Sequence, residues 1–153
     1  QTVYIMTGIA GSGKSTWILE NKSPSSIVIS KDVIRKELWD KEDEYFDNEK
    51  EVKTLFYTQL ENALENYNTI YIDGVNLTVK SRRRILSRIP QNVKKISVFV
   101  DVDLETALKQ NSNRTGRARV PEEAIEFHYR ILQVPTLDEG FEELIRVWTK
   151  IQK

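Results

Sequence analysis

Gly8-Ile9-Ala10-Gly11-Ser12-Gly13-Lys14-Ser15-Thr16 is the stretch on which the reading of this chain turns. It matches G-x-x-x-x-G-K-[ST] in full, the pattern of a phosphate-binding loop. Residues 3–7 before it are short and apolar, a buried strand ended by Gly8. After it a helix should start near Lys14 and run through Trp17, Ile18 and Leu19 to the Ser23-Pro24 break. Glycines allow backbone angles that bring several N–H groups round one phosphate, and the helix start adds unpaired donors and its positive dipole end. Gly8, Ala10, Gly11, Ser12, Gly13, Lys14, Ser15 and Thr16 are therefore the expected donor-nucleotide site, for ATP or another NTP. Lys14 would bridge the β- and γ-phosphates, and the Ser15 hydroxyl would ligate Mg²⁺. A glycine-rich turn can also join strand to helix for packing alone; the strand–loop–helix order weighs against that. The motif speaks for a nucleotide and says nothing of the acceptor.

Outward from the loop, strands and helices alternate. Residues 27–30 read as a second buried strand with Asp32 just beyond it, followed by a short helix through Val33, Ile34, Glu37 and Leu38. A long helix is expected over about 48–67, with Val52, Leu55, Phe56, Leu60, Ala63 and Leu64 on one face. Residues 69–73 form a third strand ended by Gly74. A helix over about 79–88 is stopped by Pro90. Residues 96–100 form a fourth strand, then a helix from 104 to about 111. Residues 113–120 hold one glycine and three arginines and read as a mobile loop, within a lid at about 111–120. Pro121 at the first helical position, with Glu122 and Glu123 in the first turn, opens another helix. The tail alternates Ile145, Val147, Thr149, Ile151 and reads as a last strand, a helix being the alternative. This is an α/β pattern: a mostly parallel sheet between two layers of helices, the three-layer P-loop kinase fold, in one domain over 1–153. In such sheets ligands bind beyond the C-terminal strand ends, where Gly8, Asp32, Asp73 and Asp101 all fall.

Composition narrows the chemistry. The chain has 153 residues, enough for a core without disulfides or structural metal, and no cysteine, which excludes thiolate chemistry and Cys-ligated zinc. No apolar run approaches a membrane span and nothing at the start resembles a signal peptide, so the cytoplasm is expected (host cytoplasm if phage-encoded). The formal net charge of zero argues against an indiscriminate nucleic-acid binder. Its distribution is uneven: residues 37–51 are acidic. Between 80 and 119 lie Lys80, Arg82, Arg83, Arg84, Arg88, Lys94, Lys95, Arg114, Arg117 and Arg119. That run is either a solvated face or a local surface for phosphates.

A kinase must also hold an acceptor hydroxyl in line with the γ-phosphorus, and a carboxylate beside it can take its proton. Asp32 is the candidate, with Arg35 at i+3 on the same helix side; a surface ion pair or an N-cap is the plain alternative. Asp73 either holds the metal's water shell, contacts the acceptor, or merely makes an Asp-Gly turn. Arg114, then Arg117, are expected to swing over the phosphates from the lid. Two features are set aside. Asp101-Val102-Asp103 resembles a phosphatase D-x-D but lacks that fold's other motifs, and reads as a loop start and helix cap. His128, the one histidine, reads as a partly packed helical residue.

Taken together, these residues resemble the kinase domain of phage and bacterial polynucleotide 5′-hydroxyl kinases. The resemblance rests on Gly11 to Thr16, Asp32 with Arg35, Asp73 with Asn76, Arg114 ahead of Val120-Pro121, Pro135-Thr136, and Glu139-Gly140-Phe141, in order along nearly the whole chain. It implies transfer of the γ-phosphate of ATP or another NTP to the 5′-hydroxyl of DNA or RNA. Asp32 would be the general base, Arg35 would hold the acceptor phosphate, and Arg114 would clamp the donor; Asp73 and Asn76 fall on the substrate side. Where the family often has arginine before the lid's Asn111, this chain has Gln110. A fused phosphatase or ligase has no room in these residues, so either would come from a separate partner or from a longer parent protein. A P-loop kinase for a nucleoside, sugar or antibiotic, and an ATPase or nucleotide switch with no acceptor, are the competing expectations.

Overall fold

The structure is a computed structural model that describes residues 1–38, 49–116 and 119–149. Most of the acidic stretch, Arg117 and Ile151 lie outside the described residues. Five strands build one sheet: β1 (Thr2–Thr7), β2 (Ile27–Ser30), β3 (Thr69–Asp73), β4 (Lys94–Asp101) and β5 (Glu143–Trp148), in the order β2-β3-β1-β4-β5. Every pairing is parallel, with Val3 opposite Ile70 and Lys95, and Val98 opposite Ile145. The described helices are α1 (Lys14–Asn21), α2 (Lys31–Leu38), α3 (Glu49–Asn66), α4 (Val79–Leu86), α5 (Leu104–Ser112) and α6 (Glu122–Ile131), with a 3-10 turn at Leu137–Glu139.

Strand periodicity explains the layers. Alternate residues of a strand point to opposite faces. Val3, Ile5, Ile29, Ile70 and Ile72 face one way and pack on Ile34 of α2, on Val52, Phe56, Tyr57, Leu60 and Ala63 of α3, and on Ile85 and Leu86 of α4. Met6, Tyr71, Ile96, Val98 and Val100 face the other way, against Ile18 and Trp17 of α1. There Tyr4 stacks on Tyr71 at 4.7 Å between ring centroids, and Trp17 meets Tyr71 edge-on at 6.3 Å. A third cluster of Ile9, Leu77, Val102, Ala107 and Ile125 lies around the loop after β1 and joins it to α5 and α6.

The expected elements are present, with shifted ends. α4 stops at Leu86 rather than near Pro90, because the Ser87 hydroxyl bonds back to the Arg84 carbonyl and 3-10-type bonds tighten residues 85–89. Pro121 is the N-cap of α6, one place before its expected position. The tail forms a strand: β5 takes the edge beside β4. Asn111 and Ser112 belong to α5, not to the lid. Asn111 is buried, and its side chain both donates to and accepts from the Val120 main chain at 2.7 and 2.9 Å, closing the base of the loop.

The basic run is not one surface. Arg82 is completely buried, its guanidinium paired with both carboxylate oxygens of Glu139 at 2.7 and 3.1 Å and donating to the Asn76 carbonyl at 2.8 Å. Lys95 is buried too, its ammonium on the Val93 carbonyl. Glu139 also accepts from the Thr136 N–H, and Phe141 joins the core, so the Glu-Gly-Phe segment holds α4 to the chain before β5. Burial alone would raise the Glu139 pKa, but the hydrogen bonds from Arg82 and Thr136 and the charges of Arg82 and Arg83 outweigh it and lower it. A depressed carboxylate contributes stability above its unfolded pKa, near 4, and loses it as pH falls through the folded value. Arg82→Leu should therefore cost about 3–5 kcal/mol in urea unfolding at pH 7, the usual effect of stranding a buried charge. The difference from the parent should narrow below about pH 4 as Glu139 is protonated. An equal difference at pH 7 and pH 3 would contradict the pairing.

Candidate active site

The loop between β1 and α1 closes on its own main chain. The Gly8 N–H donates to the Val75 carbonyl at 3.0 Å and the Ser12 N–H to Ile9 at 3.2 Å. Gly11 and Gly13 take φ of +83° and +99°, the left-handed region open mainly to glycine. Space forbids anything larger at two points. A Cβ on Gly11 would stand 2.6 Å from the Ala107 carbonyl, and one on Gly8 would stand 2.7 Å from the Ser12 hydroxyl. Gly13 is the N-cap of α1 and has no side chain to satisfy the helix's first N–H groups, which are left for a ligand. The Thr149 hydroxyl, arriving from the end of β5, bonds the Ser12 carbonyl and pins the loop from outside.

Lys14 is buried, with its ammonium 3.0 Å from the Ile9 carbonyl. Burial pulls its pKa down to about 8; Arg114 pushes the same way, while Asp73 and Asp32 oppose. Those three side chains are thus close enough for their charges to be felt at one amine, although they come from three elements. The Ser15 hydroxyl donates to Asp73 Oδ2 at 2.9 Å, which sets a hydroxyl and a carboxylate side by side at the head of α1. A cradle only glycine permits, a buried ammonium and a hydroxyl–carboxylate pair fit a nucleotide triphosphate with a divalent cation.

Asp32 sits in the first turn of α2, its side chain 75% exposed, in an ion pair with Arg35 at 2.5 Å. Arg35 also grips Glu49 at the start of α3 through Nε, at 2.8 and 3.0 Å. Asn76 has φ +40°, and its amide donates to the Met6 carbonyl at 2.8 Å, tying the end of β3 to β1. One amide N–H is thereby engaged, which leaves the second N–H and the oxygen for contact with a substrate. Asp103 caps α5 by accepting from Thr106 N–H, and Asp101 pairs with Arg146, which leaves neither as a D-x-D nucleophile. His128 lies on α6 with Nδ1 buried, and burial together with Lys14 lowers its pKa. Arg117, expected beside Arg114, lies outside the described residues.

One part of the site was not anticipated. A cleft of about 540 Å³ opens beside the loop between Gly13, Thr16 and Trp17 on one side and Thr106, Lys109, Gln110, Asn113, Trp148 and Thr149 on the other. It joins the phosphate cradle and has the size and the exposed aromatic wall for a nucleoside. Only the G-K-[ST] spacing pointed toward it; Trp148 and Thr149 arrive by strand pairing.

The parallel sheet in this order, with a glycine cradle on its central strand and a carboxylate at the next strand end, defines the P-loop kinase-type fold. The chain belongs to the AAA domain family, whose pattern matches residues 3–133. No curated protein matches its sequence. Among solved structures it is similar to a chain of the Pnkp1/Rnl/Hen1 RNA repair complex, at 21% identity and a TM-score of 0.71 over 86% of this chain. It spans 43% of that longer chain. It is also similar to a gluconokinase from Sinorhizobium meliloti 1021 (16% identity, TM-score 0.56, 96% of this chain and 82% of that one). A sugar kinase from Janibacter sp. HTCC2649 gives 17% and 0.64, over 97% and 85%. At these identities the likeness is one of fold.

Gly11→Ala should abolish nucleotide binding measured by calorimetry, since its Cβ has no room beside Ala107. Lys14→Ala should lose detectable turnover with the fold retained by circular dichroism. Wild-type affinity in Gly11→Ala would contradict the cradle.

Proposed function

We propose that this chain is a Mg²⁺-dependent polynucleotide 5′-hydroxyl kinase domain that passes the γ-phosphate of ATP or another NTP to the 5′-hydroxyl of DNA or RNA. The observation that carries the reading is Asp32: an exposed carboxylate at the end of the strand order, paired with Arg35 and within electrostatic reach of Lys14. A water-directed ATPase has no need of such a pair. The ordered resemblance to polynucleotide kinases supports the choice of acceptor, as does the similar chain in an RNA repair complex.

On this reading each residue takes a stated role. The main-chain N–H groups of residues 8–16 and Lys14 hold the donor phosphates, with Ser15 and Asp73 at the metal. Bound Mg²⁺ neutralises phosphate charge. Asp32 orients the 5′-hydroxyl and accepts its proton as the oxygen–phosphorus bond forms and the bond to the leaving diphosphate breaks. Arg35 holds the acceptor's phosphate, and Arg114 stabilises charge on the transferring group, a role for which the sequence also offers Arg117. Asn76 lies on the acceptor side. The same reading makes residues 1–153 one kinase domain working in the cytoplasm, with phosphatase or ligase activity carried by a partner or by a longer parent protein. Among the described residues, no helix is long and apolar enough to cross a membrane.

The gluconokinase and sugar-kinase neighbours keep a small-molecule acceptor as the second reading. Incubation with γ-labelled ATP and Mg²⁺ should label 5′-hydroxyl oligonucleotides and leave sugars, sugar acids and nucleosides unlabelled; the opposite pattern would replace the proposal. Asp32→Ala should lower kcat by about 10²–10⁴ with ATP affinity unchanged. Near-normal turnover by that variant would remove Asp32 from the chemistry.

A further inference from the structure

The helical period divides α4 into two faces. Arg82, Ile85 and Leu86 point inward and are buried. Lys80, Arg83, Arg84 and Ser87, spaced i, i+3, i+4 and i+7, stand together on the outer face. With Val79 and Gln133 they line a groove of about 610 Å³. Gln133 forms a fixed wall: its side-chain oxygen accepts from Val79 N–H, and its own N–H donates to the Leu77 carbonyl, both at 2.8 Å.

Three cations on one helix face of a chain with zero net charge repel one another unless carboxylates answer them. Among the described residues no carboxylate lies within ion-pair distance of Lys80, Arg83 or Arg84. Glu139 feels the charge of Arg83, but both its oxygens are engaged by Arg82. The groove begins beside the site: α4 starts at Val79, just past Asp73 and Asn76, so Lys80 is the groove cation nearest to them in the chain. Lys31, on the first turn of α2 with its ammonium over the Phe56 ring at 5.2 Å, has its pKa lowered by burial and then by Arg35, Lys53 and Arg84, with Glu49 opposing. The outer face of α4 therefore carries positive charge away from the strand ends where Asp73 and Asn76 lie.

We infer that the α4 groove of Lys80, Arg83, Arg84, Ser87 and Gln133 carries the phosphates of the acceptor strand beyond its first nucleotide, making it the surface that distinguishes a polynucleotide from a small acceptor. This rests on the kinase reading above. A nucleic-acid strand is the acceptor that presents further phosphates stepwise from its reacting hydroxyl, as a cationic groove leading away from the strand ends of the site requires. A sugar or nucleoside held at Asp32 has nothing to place there.

The test compares a nucleoside 3′-monophosphate with 5′-hydroxyl oligonucleotides of two to ten residues at saturating ATP. The parent KM should fall at least tenfold from the mononucleotide to the longest strand. The combined Lys80→Gln, Arg83→Gln, Arg84→Gln variant should raise the long-strand KM about tenfold, with kcat, the KM for ATP and the mononucleotide KM unchanged. Its log–log salt dependence of strand binding should be shallower by about 2, three cations at the single-strand coefficient. Arg83→Lys with Arg84→Lys should keep the parent slope. A parent KM independent of length, or a triple variant with parental long-strand KM and salt slope, overturns the inference while the kinase reading stands. A parent that labels the mononucleotide and no strand also overturns it. If the parent labels neither, the kinase reading itself fails and this inference with it.

Discussion

A triphosphate can be gripped by main-chain amides only where the backbone folds back on itself with nothing in the way, and the loop after β1 meets that condition through clearance as much as conformation. Gly8 and Gly11 lie so close to Ser12 and to the Ala107 carbonyl that a single methyl group would have to displace backbone or a buried hydroxyl. The loop's shape is thus set by neighbours distant in sequence: α5 behind it, β3 through the Val75 carbonyl, and β5 through Thr149. The site inherits its rigidity from the parallel sheet, whose central strand it extends.

The same strand ends make the electrostatics. Lys14 is held as a cation at the cost of desolvation, and Asp73 and Asp32 offset part of that cost from β3 and α2. One buried ion pair, Arg82 with Glu139, stands away from the chemistry yet bears on it. Arg82 also holds the Asn76 carbonyl, and Asn76 ties β3 to the Met6 carbonyl next to the loop. A structural arginine thereby fixes the position of the strand that carries Asp73. Its neighbours on the outer face of α4 have no carboxylate partner among the described residues and stand open to a ligand.

Much of the fold was legible because apolar period and turn chemistry are local. Residues 69–73 and 96–100 read as buried strands, the face of α3 emerged from its three- and four-residue spacing, and the last strand showed in the alternation of Ile145 and Val147. The basic run was less legible. Lys80, Arg82, Arg83 and Arg84 look alike in a row, yet helical geometry sends one into the core and three to the surface. No property of Arg82 itself foretells burial; its partner lies 57 residues away. The cleft beside the phosphate loop was hidden for the same reason, being assembled from α1, α5 and the end of β5.

By itself, the sequence determined the phosphate loop, the alternation of strand and helix, and the Asp32–Arg35 pair, because each is written within a few residues where backbone preference and side-chain spacing suffice. Tertiary structure alone decided which of the acidic strand ends meets Ser15, which arginine is spent on stability, and where positive charge stays open. Asp73 reaches Ser15 across 58 residues and Thr149 reaches Ser12 across 137. Such contacts depend on strand order and register, which long-range packing selects and no local pattern encodes.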